Sequence, residues 1–156
     1  MGLRLHTPIR PIGPVQGWLN QGPVDPTRID ATAILIHFWS LSCPLCKEQM
    51  PIVERWIAQF GPRGLRGIGV HTPLIQDDRD DVLVEQMVRA LDLQHPIALD
   101  QEGAVATVYQ VEAVPTYFVY DRNRLLRYRH TGDRAEKPVT RMIERILAEA
   151  EGTRAA

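Results

Sequence analysis

The chain has 156 residues, 44% apolar and 24% charged, the size and balance of one globular domain able to bury about 68–70% of its unfolded surface; disorder, a collagen-like fibre and a disulfide-dense miniprotein are excluded. Eighteen basic against nineteen acidic residues leave a formal charge of -1, which offers no field to attract a nucleic acid or an anionic membrane surface. The longest apolar runs, such as 33–38, fall far short of the roughly 20 residues of a spanning helix, so membrane insertion is not expected.

Five of the twelve prolines fall within residues 1–26, beside Gly13, Gly17 and Gly22. Residues 1–30 therefore read as an extended arm packing on the domain, with a hairpin near Trp18-Leu19-Asn20. Pro8, Pro11 and Pro14 interrupt any secretory apolar region, and His6 makes Gly2 a poor myristoylation site. As written the sequence implies a cytoplasmic protein; if an N-terminal segment has been trimmed away, an extracytoplasmic one.

Ile34-Leu35-Ile36-His37-Phe38-Trp39 is an apolar, β-branched run of strand length and predicts a buried central strand. Over 43–60, Cys46, Met50, Val53, Ile57 and Phe60 recur at spacings of four and three, lining one helical face, and Gly61-Pro62 ends the helix. Pro51 lies inside it and predicts a kink. Residues 65–70 read as the next strand, and 80–91 as a helix burying Leu83, Met87, Ala90 and Leu91. A short strand at 96–99 and a short helix at 103–110 follow. Strands at 116–120 and 125–130 around a turn form a hairpin, its Arg122, Arg124, Arg127 and Arg129 a solvated, charged edge. A helix over 138–150 closes the chain. The pattern predicts one α/β domain over 1–156, a mixed central β-sheet flanked by α-helices, with parallel crossovers first and an antiparallel edge afterwards.

The two cysteines, Cys43 and Cys46, are too close in sequence to act as a structural staple. They stand where the buried strand meets the amphipathic helix. Unpaired backbone donors and the positive end of the dipole favour a thiolate at Cys43, predicting a pKa below that of free cysteine. Pro44 suits the first helical position. Cys46 sits one turn on, within disulfide reach and on the buried stripe. Cys43 is thus the attacking nucleophile and Cys46 the resolving thiol.

Phe38-Trp39, Cys43-Pro44-Leu45-Cys46, Pro51 and Val114-Pro115-Thr116 together resemble the thioredoxin superfamily. The extra strand and helix over 96–110, the string Gly69-Val70-His71-Thr72-Pro73 and Gly17-Trp18-Leu19-Asn20 are similar to the TlpA-like branch, to DipZ-type C-terminal domains and to AhpC/TSA-redoxin relatives. The resemblance covers roughly 15–150. It implies a thioredoxin-like fold with a TlpA-type strand-helix insertion and a thiol-disulfide oxidoreductase, which in a reducing cytosol runs as a reductase. It also implies no cofactor beyond the redox-active Cys43–Cys46 disulfide, a disulfide-containing protein substrate, an electron-donor reductase and a monomeric state. Pro115 is then a cis-proline facing the cysteines, Val114 pairs its backbone with extended substrate, and Trp39, Pro44 and Leu45 shape the site.

His37 stands where thioredoxins carry a buried acid, and Ser42 where they carry a tryptophan. His37 and His71 are candidate proton shuttles, although a histidine at a strand end is more often a hydrogen-bonded core residue. Burial would keep His37 neutral. No acid lies closer in sequence to His71 than Asp77 and Asp78, and the run 77–81 reads as acids at a helix N-terminus rather than a calcium loop. Two alternatives stand beside the exchange reading. In a peroxiredoxin-like peroxidase Ser40 would precede the reactive Cys43, although Ile36 replaces that motif's proline. In a metal-binding module, Cys43 and Cys46 would be joined by two of His37, His71, His95 and His130.

Overall fold

The apolar run forms β2, Ala33–Trp39, with all seven residues buried, in a computed structural model that describes residues 2–155 and their side chains through 153. Met1 and Ala156, the ends of the expected domain, lie outside the described residues. β2 does not alternate because both of its faces are covered. Ile34, Ile36 and Phe38 pack with Ile9, Ile12 and Val24 of the arm and with Val105 and Tyr109. Ala33 and Leu35 pack with Val53, Trp56 and Phe60 and with Val139, Ile143 and Leu147.

The other elements are β1 Gly17–Leu19, α1 Pro44–Phe60, β3 Leu65–His71, α2 Asp81–Ala90, β4 Ile97–Leu99, α3 Ala104–Val108, β5 Thr116–Tyr120, β6 Leu126–Thr131 and α4 Glu136–Ala155. The sheet is six-stranded and mixed, in the order β1-β4-β3-β2-β5-β6. β2 runs parallel to β3, which sets Trp39 opposite His71. It runs antiparallel to β5, which sets His37 opposite Tyr117. The expected mixed α/β fold is the observed one.

Some expectations need correction. Trp18-Leu19-Asn20 do not turn back on themselves: β1 pairs antiparallel with β4, Trp18 opposite Ala98. Asn20 adopts a left-handed backbone (φ 68°). Its amide donates to the carbonyls of Leu93 and His95, both at 2.8 Å, so the arm is fastened to the sheet edge. α1 buries Trp56 and Gln49 as well as the expected stripe, while Ile57 is only partly buried. Pro51 lies inside this helix on its exposed side. α2 buries Val84 and Val88, and Leu83 is exposed, because the helix meets Leu93 and Leu99 with the neighbouring stripe. Two of the four hairpin arginines are tied down rather than free: Arg124 donates to the carbonyls of Ile29 and Ala31, and Arg127 pairs with Asp121 and Glu149. Among the described residues, no helix is long and apolar enough to cross a membrane.

Candidate active site

Cys43 is the residue before α1, extended at φ -100° and ψ 103°, and Pro44 opens the helix. The Cys43 sulfur accepts the backbone N–H of Cys46 at 3.1 Å, satisfying one of the donors that a helix start leaves without a partner. The two sulfurs are bonded, with Cα atoms 5.3 Å apart. Cys46 is 2% exposed and Cys43 7%, so the second cysteine is the deeper. Pro44 is exposed and Leu45 partly so, giving the pair an apolar rim.

The chain before β5 closes over the pair. The Val114–Pro115 peptide is cis, and the Val114 carbonyl oxygen lies 3.9 Å from Cys43 Sγ. Val114 is half-buried and Pro115 buried. Trp39 is wholly buried in the cluster that holds both cysteines and Met50. It meets the His71 ring edge-on, centroids 4.9 Å apart and planes at 79°.

Hydrogen bonds fix the loop between β2 and Cys43. Ser40 Oγ and Ser42 Oγ both donate to Asp78 Oδ2, at 2.8 and 2.7 Å. The same oxygen accepts the N–H groups of Leu74 and Ile75, at 2.8 and 3.1 Å. Burial pushes the Asp78 carboxyl up, but the four donors outweigh it and hold the pKa below the ordinary value. Asp80 caps α2, as expected of this acidic run; Asp78 instead joins two loops. Nothing local in the sequence marks this role, since Ser40 and Ser42 lie 38 and 36 residues before it.

His71 Nε2 accepts the Leu41 N–H at 3.1 Å, and Nδ1 lies 2.9 Å from Gln101 Oε1. An N–H donor at Nε2 requires the proton on Nδ1, which donates to Gln101. Both nitrogens are occupied in holding the loop, and burial lowers the pKa of this imidazole in spite of the Gln101 bond. His37 is buried on the face of β2 that carries Leu35 and Trp39, facing α1. Burial first, and His95 second, push its pKa well below the ordinary value. His37 Nε2 lies 2.8 Å from His95 Nε2, and His95 Nδ1 lies 2.6 Å from Glu54 Oε1. Nothing in the sequence pairs Glu54 with His95, 41 residues away.

The histidines proposed as metal ligands are thus engaged with other partners, His130 with the Asp133 carbonyl. Among the described residues, no three His, Cys, Asp or Glu side chains gather as a metal site.

The AhpC/TSA family model matches residues 19–129. Thiol-disulfide oxidoreductase YkuV of Bacillus subtilis (strain 168) is 32% identical over 149 residues, covering 96% of this chain and all of that protein. Protein DipZ of Mycobacterium tuberculosis is 29% identical over 139 residues, covering 87% of this chain but only 20% of DipZ. The solution structure of a thioredoxin-like protein in its oxidized form superposes with a TM-score of 0.85 at 32% identity, covering 94% of this chain and 99% of that one. With a bonded Cys-x-x-Cys pair at the start of α1 and a cis-proline beside it, the chain belongs to the AhpC/TSA family, in the thioredoxin-fold branch of thiol-disulfide oxidoreductases.

Proposed function

We propose that the chain reduces disulfides in extended protein segments, as a monomer, through a dithiol cycle of Cys43 and Cys46. The observation that carries this reading is the bonded pair at the N-terminus of α1, with the sulfur of Cys43 beside the Val114 carbonyl. In the reduced protein the Cys46 N–H and the helix dipole favour negative charge on Cys43. The Cys43 thiolate attacks one sulfur of the substrate disulfide. A mixed disulfide forms, and the other substrate sulfur leaves as a thiolate. Cys46 then loses its proton and attacks Cys43 Sγ; the second substrate thiolate leaves, and the Cys43–Cys46 bond forms. Two electrons have passed to the substrate, and a dithiol reductase donor must return two.

Among the described residues, neither the N–H nor the carbonyl of Val114 pairs with another backbone group, which leaves both for an added substrate strand. Leu45, Pro44 and Val114 supply apolar contact at the rim, and Trp39 backs the disulfide. His71 acts on Leu41 as a loop holder rather than as a shuttle. A peroxidase reading loses support from Ser40, whose hydroxyl is committed to Asp78.

The test uses Cys46→Ser and Cys43→Ser with a disulfide-bonded protein such as insulin. Cys46→Ser should accumulate a mixed disulfide through Cys43, released by dithiothreitol, and Cys43→Ser should accumulate none. Equal trapping by both variants, or by neither, would overturn the assignment.

A further inference from the structure

Gln101, in the turn after β4, is 5% exposed, and its donors and its side-chain oxygen reach four separate parts of the chain. Its backbone N–H donates to Gln16 Oε1 of the arm at 2.7 Å. Its side-chain Nε2 donates to Asp81 Oδ1 at 2.8 Å and to the Asp78 carbonyl at 3.3 Å. Its Oε1 faces His71 Nδ1 at 2.9 Å.

These partners leave the Gln101 amide one orientation. A carboxylate and a carbonyl only accept, so Nε2 is fixed toward Asp81 and Oε1 toward His71. His71 must then donate from Nδ1, which leaves a lone pair on Nε2 for the Leu41 N–H, 3.1 Å away. With the proton on Nε2 instead, two donors would face each other at Leu41. The loop before Cys43 is thereby held at three successive residues, Ser40 and Ser42 by Asp78 and Leu41 by His71. In the oxidised protein the Cys43–Cys46 bond also ties this loop to α1. Once that bond opens, the position of Cys43 depends on the hydrogen bonds.

We propose that Gln101 is a positioning residue for the exchange reaction: it selects the His71 tautomer that holds Leu41, and so keeps the Cys43 sulfur at the N-terminus of α1 in the reduced protein. This rests on the exchange chemistry proposed above. The same geometry makes the hold sensitive to acid. A second proton on His71 goes to Nε2, the atom that accepts the Leu41 N–H, and turns that bond into a contact between two donors. Burial lowers the His71 pKa, and the Gln101 bond, Asp78 and Asp81 oppose burial without overcoming it. The imidazole is therefore neutral at pH 7, and the hold is lost as pH falls through a value below the ordinary one for histidine.

Other ionisable groups surround His71. The turn Gln76–Arg79 and the start of α2 bring Asp78 and Asp81. Asp78 is held below the ordinary carboxylate range, so its bonds to Ser40 and Ser42 survive mild acid. Asp100 donates its N–H to the His71 carbonyl, while its carboxylate accepts from Thr72 and from the N–H groups of Val105 and Ala106. Burial pushes the Asp100 carboxyl up, which makes it a second group titrating in acid. β2 presents the edge-on ring of Trp39, in one cluster with Cys43.

Amide hydrogen exchange at Leu41 in the reduced full chain reads the hold, as a protection factor corrected for the intrinsic effect of pH, from about pH 7 to about pH 4.5. Gln101→Met removes the acceptor for His71 Nδ1 and keeps the bulk. Leu41 protection at pH 7 should fall about tenfold, the loss of one hydrogen bond. In proteins that also carry Cys46→Ser, Cys43 is the only thiol, and its attack on 5,5′-dithiobis(2-nitrobenzoate) should slow about threefold or more with Gln101→Met. His71→Gln places an amide oxygen where Nε2 stood and does not titrate, while Asp100 stays in place. It should keep Leu41 protected at pH 7 and in acid, where the wild type loses protection. Unchanged Leu41 protection in Gln101→Met would overturn the hold, and so would the same acid profile in the wild type and His71→Gln. Faster Leu41 exchange with an unaltered Cys43 rate would overturn the role in the exchange reaction. Should Gln101→Met fail to fold, the acid profiles of the wild type and His71→Gln decide the matter. A Cys46→Ser protein that releases no thionitrobenzoate would overturn the exchange chemistry, while the Leu41 profiles would still decide the hold.

Discussion

Replacing Asp78 by Asn removes a charge from beneath the loop that carries Cys43 while keeping nearly the same shape. Four donors converge on Asp78 Oδ2, two serine hydroxyls and two backbone N–H groups, and Asp78 is 1% exposed. A hydrogen bond to a charged acceptor contributes about 1.5–3 kcal/mol and one to a neutral acceptor about 0.5–1.5. Donors crowded on one oxygen do not add fully, so Asp78→Asn should cost roughly 2–3 kcal/mol, a fall in Tm of about 5–10 °C for a chain of this length. The carboxyl pKa is held below its ordinary value, so its contribution is fully present above about pH 4 and is lost as pH falls through the folded-state pKa. Thermal unfolding of both proteins at fixed redox state should show a constant gap from pH 7 to about pH 4 that narrows at lower pH. Hydrogen exchange should show faster exchange at the Leu74 and Ile75 amides. A Tm within about 2 °C of wild type at pH 7, or a gap that does not narrow in acid, would refute the role given to this carboxylate.

Two further substitutions probe other parts of the structure. Gly69→Ala inserts a methyl 2.6 Å from Ile97 Cδ1 and 2.9 Å from His37 Nε2. It should destabilise by about 1–3 kcal/mol, read as a lower midpoint in urea unfolding. Thr140→Val removes the acceptor of the Trp56 indole N–H, 2.8 Å away, in the packing of α1 on α4. It should cost about 1–2 kcal/mol in urea unfolding while leaving the rate of insulin reduction at the wild-type value.

The sequence carries the fold wherever periodicity governs burial. β2 is legible because seven buried residues in a row require covering on both faces, and α1 because Cys46, Met50 and Val53 repeat at helical spacing. β1 was not legible as a sheet edge: Gly17–Leu19 is too short to carry a pattern, and its partner lies about eighty residues on in β4. The cysteines and Pro115 are legible because residue type and local order carry their signal. Asp78 and Glu54 are not. Each looks in sequence like one more acid on a helix, and only the fold brings Asp78 under Ser40 or lays Glu54 against His95. Polar networks closed by long-range contacts have no period to detect.

Cys43 and Cys46 should exchange reversibly between dithiol and disulfide. The most direct test equilibrates the protein across a graded glutathione redox buffer and reads the mass added by thiol alkylation. A single reversible transition is expected in which two thiols appear together, nearer to about -270 mV than to -120 mV, as befits a reductase. Two alkylated thiols at every poise, with no intramolecular disulfide formed, would contradict it.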